Sequence, residues 1–160
     1  MNAGIEIRLK FSIFILYNSI MILTIKQKLY RTKRCKHLES KVKIASQIYN
    51  HCIALHKRYY KIFGKYISKY HLQSHIAKLK KKYPHWKQLN SQTIQNIAER
   101  IDFGYKKFFK KENKRPPKFK SWIRYKSLTY KQCGYKLSGN TVTIQGKKFK
   151  FHKSRNIENI

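Results

Sequence analysis

Eight residues, Leu38, Val42, Ala45, Tyr49, Cys52, His56, Tyr59 and Phe63, succeed one another at intervals of 4, 3, 4, 3, 4, 3 and 4. A strand alternates its side chains with period two and cannot use that spacing, whereas a helix gathers all eight onto one stripe. The pattern predicts a long amphipathic helix closed by Gly64, its tyrosines turned to a core rather than to stacked bases. Two shorter stripes follow. From Ser68 to Lys82, Leu72, Ile76 and Leu79 share a face, and Pro84, which has no N–H to donate, stops the helix. Leu89-Asn90-Ser91 then supplies cap residues for a third helix whose buried face is Ile94, Ile97, Ala98, Ile101, Tyr105 and Phe108. Three helices around one core make a small bundle.

The ends read differently. Thr24 to Arg31 is rich in branched and aromatic residues and reads as one strand. Past Pro116-Pro117, the segments Ser127 to Tyr130, Tyr135 to Leu137, Thr141 to Ile144 and Lys148 to His152 are β-prone, with Gly139-Asn140 and Gly146-Lys147 as hairpin turns. A strand, a helical insertion and a meander give an α+β class, in which Thr24 to Arg31 is expected to pair with the C-terminal strands. The apolar stretch Phe11 to Leu23 has 13 residues, fewer than the ~20 that cross a bilayer as a helix, and no small-x-small cleavage site follows it. It reads as a short apolar strand or helix, or as part of a segment upstream of a start at Met21.

Charge decides what such a chain meets. Against 38 Lys and Arg stand 6 Asp and Glu, a formal net charge of +32 in 160 residues. That density opposes compaction and attracts phosphate, so DNA or RNA is the expected partner, ahead of an anionic membrane, and a small-molecule metabolic substrate is not expected. A hydrophobic fraction of 41% exceeds what a solvated polybasic tail carries, so a folded core is expected. The carboxylates are Glu6, Glu39, Glu99, Asp102, Glu112 and Glu158. Two-metal phosphoryl transfer and glycoside hydrolysis each need two or more on one site. Only Glu99 and Asp102 lie a helical turn apart, and Arg100 and Lys106 flank them, which points to internal charge compensation. Cys35, Cys52 and Cys133 contain no CxxC and suit reduced thiols in a cytoplasmic protein, and His71 and His75, at i and i+4, lack further ligands. No catalytic residue, metal or cofactor is therefore expected.

The densest basic run is Lys106, Lys107, Lys110, Lys111, Lys114, Arg115, Lys118, Lys120, Arg124 and Lys126, ten cations in 21 residues against Glu112 alone. Phe108, Phe109, Phe119, Trp122 and Tyr125 interleave it, and flat rings beside phosphate-binding cations suit a groove for bases and backbone. The clusters Lys33-Arg34 and Lys80-Lys81-Lys82 join the same set of candidates.

Four short motifs occur in one order. Ile48-Tyr49-Asn50 comes first, then residues 91–109 (SQTIQNIAERIDFGYKKFF), then Pro117-Lys118-Phe119-Lys120-Ser121, then Gly134-Tyr135-Lys136-Leu137-Ser138-Gly139-Asn140. Together they resemble the amino-terminal region of the TnpB/OrfB proteins of insertion sequences, transposase-like RNA-guided DNA nucleases related to type V CRISPR effectors. The resemblance runs from about Met21 to Arg155. It implies an incomplete oligonucleotide-binding-like β-barrel, the wedge domain, with a helical recognition domain inserted after its first strand. Residues 21–33 would be that strand, 34–115 the recognition domain and 116–160 the remaining strands, with 1–20 an upstream extension. It also implies base contacts at Ser91, Gln92 and Gln95 and at Tyr130, Lys131 and Gln132, and glutamine can bond adenine bidentately in a major groove.

Family members continue into a RuvC-like nuclease domain with three carboxylates and a zinc ribbon. This chain carries neither, so it is expected to be a truncated copy that binds structured RNA from the transposon end and target-adjacent DNA without cutting. Two other readings stand beside it. One is an independent basic DNA- or RNA-binding regulator; the other is a secreted cationic membrane-active protein built on Phe11 to Leu23.

Overall fold

The computed structural model describes residues 8–17, 19–33, 35–130 and 134–152. It is an α+β protein with three helices and antiparallel strands, divided into two compact units. One unit takes Met1–Cys35 and Gln132–Ile160, the other Lys36–Lys131.

In the first unit, β1 (Arg8–Tyr17) and β2 (Ser19–Lys28) pair antiparallel from Arg8 opposite Lys28 to Tyr17 opposite Ser19. The expected partnership of Thr24 to Arg31 with the C-terminal strands is thus corrected over most of its length. Residues up to Lys28 pair with β1, and only Leu29 bridges to Phe151. The local pairing closes a far shorter loop than one across more than a hundred residues, and its entropic cost is smaller. Two backbone bonds fix the bridge, Tyr30 N–H to the Lys150 carbonyl at 2.9 Å and His152 N–H to that of Lys28 at 2.8 Å.

A second sheet is a meander of β3 (Tyr135–Ser138), β4 (Thr141–Ile144) and β5 (Lys147–Lys150), with Val142, Ile144 and Phe149 buried. Gly139 opens the first turn with φ +53°. The second turn falls on Gln145-Gly146, both at positive φ, one residue earlier than the Gly146-Lys147 expected from composition. Ser127 to Tyr130, expected as a strand, is irregular, because its polar groups bond to helix side chains instead of to a neighbouring strand.

The second unit is the bundle. Helix α1 (Cys35–Phe63) ends where Gly64, at φ +63°, donates its N–H to the Tyr60 carbonyl. Its buried face is wider than one stripe, since Ile44, Ile48 and Ile53 lie in the core beside Ala45, Tyr49, Cys52 and His56. The stripe's last members depart from expectation: Tyr59 is half-buried and Phe63 exposed. Helix α2 (Lys69–Lys82) buries Leu72 and Ile76, and a 3-10 turn over Pro84–Gln88 inserts Trp86 into the core. Helix α3 (Ser91–Phe109) begins where the Asn90 side chain accepts the Thr93 N–H at 2.8 Å, and Ile94, Ile97, Ala98, Ile101 and Tyr105 are buried; Phe108 is only half-buried.

Asp102 holds the bundle from inside. It is buried, ion-pairs with Lys106 at 2.9 Å, and accepts the Lys69 N–H at 3.2 Å. Ser68, the N-cap of α2, makes no side-chain cap, so a carboxylate from α3 complements that helix terminus. The Asp102 contact raises the Lys106 ammonium above the usual lysine range, first by its hydrogen bond and then by its charge.

His56 is 1% exposed, stacked on Tyr105 with centroids 4.2 Å apart, and its Nε2 has no hydrogen-bond partner. Burial pushes its pKa down to about 4 from 6.5, against opposing pulls from Asp102 and the Ile67 backbone. A histidine held neutral stabilises the fold fully above its unfolded pKa and loses that contribution as it charges on the way down. Stability is therefore expected to decline from pH 6.5 to about 4. His51 and His75 are lowered too, so they add to the same trend. Urea midpoints across that range check it: His56→Phe should flatten much of the slope, and an unchanged slope would count against the account.

Candidate nucleic-acid interface

Past Lys110 the chain turns, with Lys111 at φ +60°, and returns along α1 and α3, turning once more where the Ser121 carbonyl accepts the Arg124 and Tyr125 N–H groups. Successive contacts trace the return along α3. A Cβ on Gly104 would lie 2.8 Å from Pro117 Cγ, Arg100 Nη1 donates to Ser127 Oγ at 2.7 Å, and Thr93 Oγ1 donates to the Thr129 carbonyl at 3.0 Å.

Along α1 the hold is tighter. Asn50 donates its amide to the Lys120 carbonyl at 2.8 Å and accepts the Lys120 N–H at 2.9 Å, so one side chain closes both backbone groups of one residue. Ser46 Oγ donates to the same carbonyl at 3.0 Å, and Tyr49 OH donates to that of Lys118 at 3.2 Å. Tyr49 also packs on buried Tyr125 at 5.4 Å, and Arg100 lies 5.5 Å from the Tyr125 ring centre. Burial raises the Tyr125 phenol to about 12. A basic segment that its own charge would leave solvated is thereby fixed to the bundle by neutral hydrogen bonds.

The fixed segment presents rings and cations together. Phe119 and Trp122 are exposed, with Lys57 Nζ 4.5 Å from the first ring centre and Lys43 Nζ 4.6 Å from the second. Lys43, Asn50 and Lys57 repeat every seven residues on α1, which places all three on one face. Lys110, Lys111, Lys114, Arg115, Lys118, Arg124 and Lys126 are exposed, Lys120 is half-buried over the Tyr49 ring at 5.5 Å, and Lys107 pairs with Glu112 at 3.7 Å.

No protein-family model matches this chain, and no curated protein matches it.

The remaining sequence candidates are dispersed. Lys80, Lys81 and Lys82 form the last turn of α2, and Ser91, Gln92 and Gln95 the first turns of α3. The basic residues Lys106 and Lys107 sit at the far end of that helix, whose 19 residues span about 28 Å. The return segment brings Thr129 beside Thr93, and so places Tyr130 near the start of α3. Ser91 and Gln95 are exposed, whereas Gln92 Oε1 and the Tyr130 hydroxyl are buried without hydrogen-bond partners and would have to turn outward to meet a base. Burial raises the Tyr130 phenol to about 12. Lys33 is an exposed residue of the first unit; Arg34, Lys131 and Gln132 lie outside the described residues.

The i, i+4 pair does not converge. His71 Nδ1 bonds Ser68 Oγ at 2.9 Å, and His75 Nε2 bonds His51 Nε2 at 3.0 Å. Among the described residues no group of three or more His, Cys, Asp or Glu could hold a metal, and no helix is long and apolar enough to cross a membrane. What sequence reasoning missed is the clamp. Ser46 is a buried polar residue beside the apolar stripe of α1, one turn before Asn50, a signal that something polar must pack there.

Gly104→Ala tests the close approach on α3. A free helical glycine gains up to ~1 kcal/mol on becoming alanine, but a Cβ 2.8 Å from a rigid proline ring forces a shift costing ~1–3 kcal/mol. The expected outcome of chemical denaturation is a net loss of about 1 kcal/mol. A gain of similar size would show that Pro117 does not rest on Gly104.

Proposed function

We propose that this chain is a nucleic-acid-binding lobe, related to the amino-terminal region of TnpB/OrfB proteins, that grips structured RNA and target-adjacent duplex DNA without cutting either. The observation that carries the reading is the clamp on Lys118 to Lys120. Tyr49 and Asn50 belong to one motif of the resemblance and Pro117 to Ser121 to another, and the two bond each other through Asn50 and Tyr49. Gly104, in the motif over residues 91–109, touches Pro117. Three of the four motifs, scattered over some 70 residues of chain, thus meet along the return segment, while the fourth, Gly134 to Asn140, belongs to the other unit.

The function follows from what the clamp exposes. Lysines fixed beside flat rings neutralise phosphate at little entropic cost to the segment, and each neutralised phosphate releases counterions. Ser91 and Gln95, exposed at the start of α3, are the proposed base readers. Asp102 is occupied with Lys106 and the α2 terminus, which leaves the acids little to offer as a catalytic set. In this reading the β unit, assembled from chain on both sides of the bundle in sequence, corresponds to an oligonucleotide-binding-like wedge domain and the bundle to the recognition domain.

Footprinting tests it against the rival reading of an independent regulator. The proposed lobe should protect RNA transcribed from the end of its own element in preference to unrelated hairpins of equal length. Protection of a short DNA site with no such RNA preference would favour the regulator.

A further inference from the structure

We propose that the aromatic end of the bundle, formed by Tyr60, Tyr66 and Phe109, is a separate stacking site for unpaired RNA bases. The rings are 52%, 39% and 44% exposed, three aromatic side chains left open to solvent in one place. They are also fixed. Phe109 lies 6.1 Å from Tyr60 and 5.9 Å from Tyr66 between centroids, and behind it Tyr105 at 6.3 Å and Phe108 at 5.6 Å anchor it to the bundle. Tyr105 in turn stacks on buried His56 at 4.2 Å. A platform held from behind loses little entropy when a base lands on it.

The charge around the rings selects the occupant. Lys57, Arg58, Lys61, Lys65 and Lys69 flank Tyr60 and Tyr66 in sequence, Lys110 and Lys111 follow Phe109, residues 40–98 contain no Asp or Glu, and the two acids nearby, Asp102 and Glu112, pair with Lys106 and Lys107. Cores of protein interfaces are depleted in lysine, so a rim this cationic suits a polyanion with flat, unpaired rings. Base pairs in a duplex hide their faces; loops and single-stranded ends offer them. The site is distinct from the clamp, whose rings are Phe119 and Trp122, though Lys57 on the Phe119 ring stands one helical turn from Tyr60.

The inference rests on the nucleic-acid reading above, and the experiment separates the two. The full chain and its Tyr60→Leu/Phe109→Leu variant, which keeps apolar volume but removes two π faces, are titrated with a single-stranded RNA, the same sequence as DNA, and its RNA duplex. Stacking of this kind predicts a loss of roughly 10- to 100-fold on the single-stranded RNA, with duplex affinity and salt slope unchanged. Equal losses on single strand and duplex, no loss, a preference for the single-stranded DNA, or a change in self-association without a change in RNA affinity would each overturn the site while leaving the general reading intact. Failure of the unaltered chain to bind any of the three would overturn both. Photocrosslinking of thiouridine-containing RNA to the unaltered chain, mapped by mass spectrometry, probes the same rings without relying on a variant: adducts on Tyr60, Tyr66 or Phe109 are expected, and adducts confined to other segments contradict the site.

Discussion

Replacing Lys110, Lys114, Arg115, Lys118 and Arg124 together with glutamine is expected to weaken duplex DNA binding by roughly 10³-fold or more at 0.1 M salt. All five are exposed on the turn after α3 or on the return segment, so the fold loses no buried partner. Each phosphate contact contributes about −0.9 to the slope of log K against log salt, and five lost contacts should make that slope shallower by about 4.5. The two readouts guard one another. A drop in affinity with the slope unchanged would mean that these cations do not meet phosphate and that the variant is damaged elsewhere. Filter binding or anisotropy at four salt concentrations suffices, with glutamine at Lys28, Lys36, Lys87, Lys136 and Lys147, all exposed and all outside the run, as the control.

Asn50→Ala is expected to cost about 2–3 kcal/mol of stability, a large effect for a half-buried polar residue. The reason is the asymmetry of hydrogen bonding. A bond between two neutral groups contributes ~1 kcal/mol net, but removing one side chain here strands the Lys120 N–H and leaves its carbonyl with Ser46 alone. Asn50→Asp retains the acceptor and loses the donor, so it should fall between the two. Function should follow stability in a particular way. With the clamp open the segment regains its freedom, affinity for RNA and duplex falls together, and the salt slope stays as it was, because the cations remain. Should Asn50→Ala unfold at the same denaturant concentration as the unaltered chain, residues 118–120 are not held as described.

How far the sequence reveals this arrangement depends on which interactions are periodic. Helices α1, α2 and α3 are legible because burial repeats every three or four residues, and their ends because Gly64, Pro84 and Asn90 act through local backbone chemistry. Strand β4 is legible for the same reason at period two. The partner of a strand is not periodic information: nothing local in Thr24 to Lys28 says whether β1 or the C-terminal meander lies beside it. The exposed cations of the site can be read from charge alone. The clamp could not, since Ser46, Asn50 and Tyr49 meet Lys118 and Lys120 across some 70 residues of chain. Gln92 shows the converse limit, a polar residue on a helix start whose carbonyl oxygen is nonetheless buried.

The most direct measurement is the salt dependence of duplex DNA and structured RNA binding by the unaltered 160-residue chain. With about ten cations of the basic run on phosphate, log K should fall against log salt with a slope near −9 for duplex DNA. A slope near zero, or no binding at low salt, would contradict the assignment of these residues to a nucleic-acid interface.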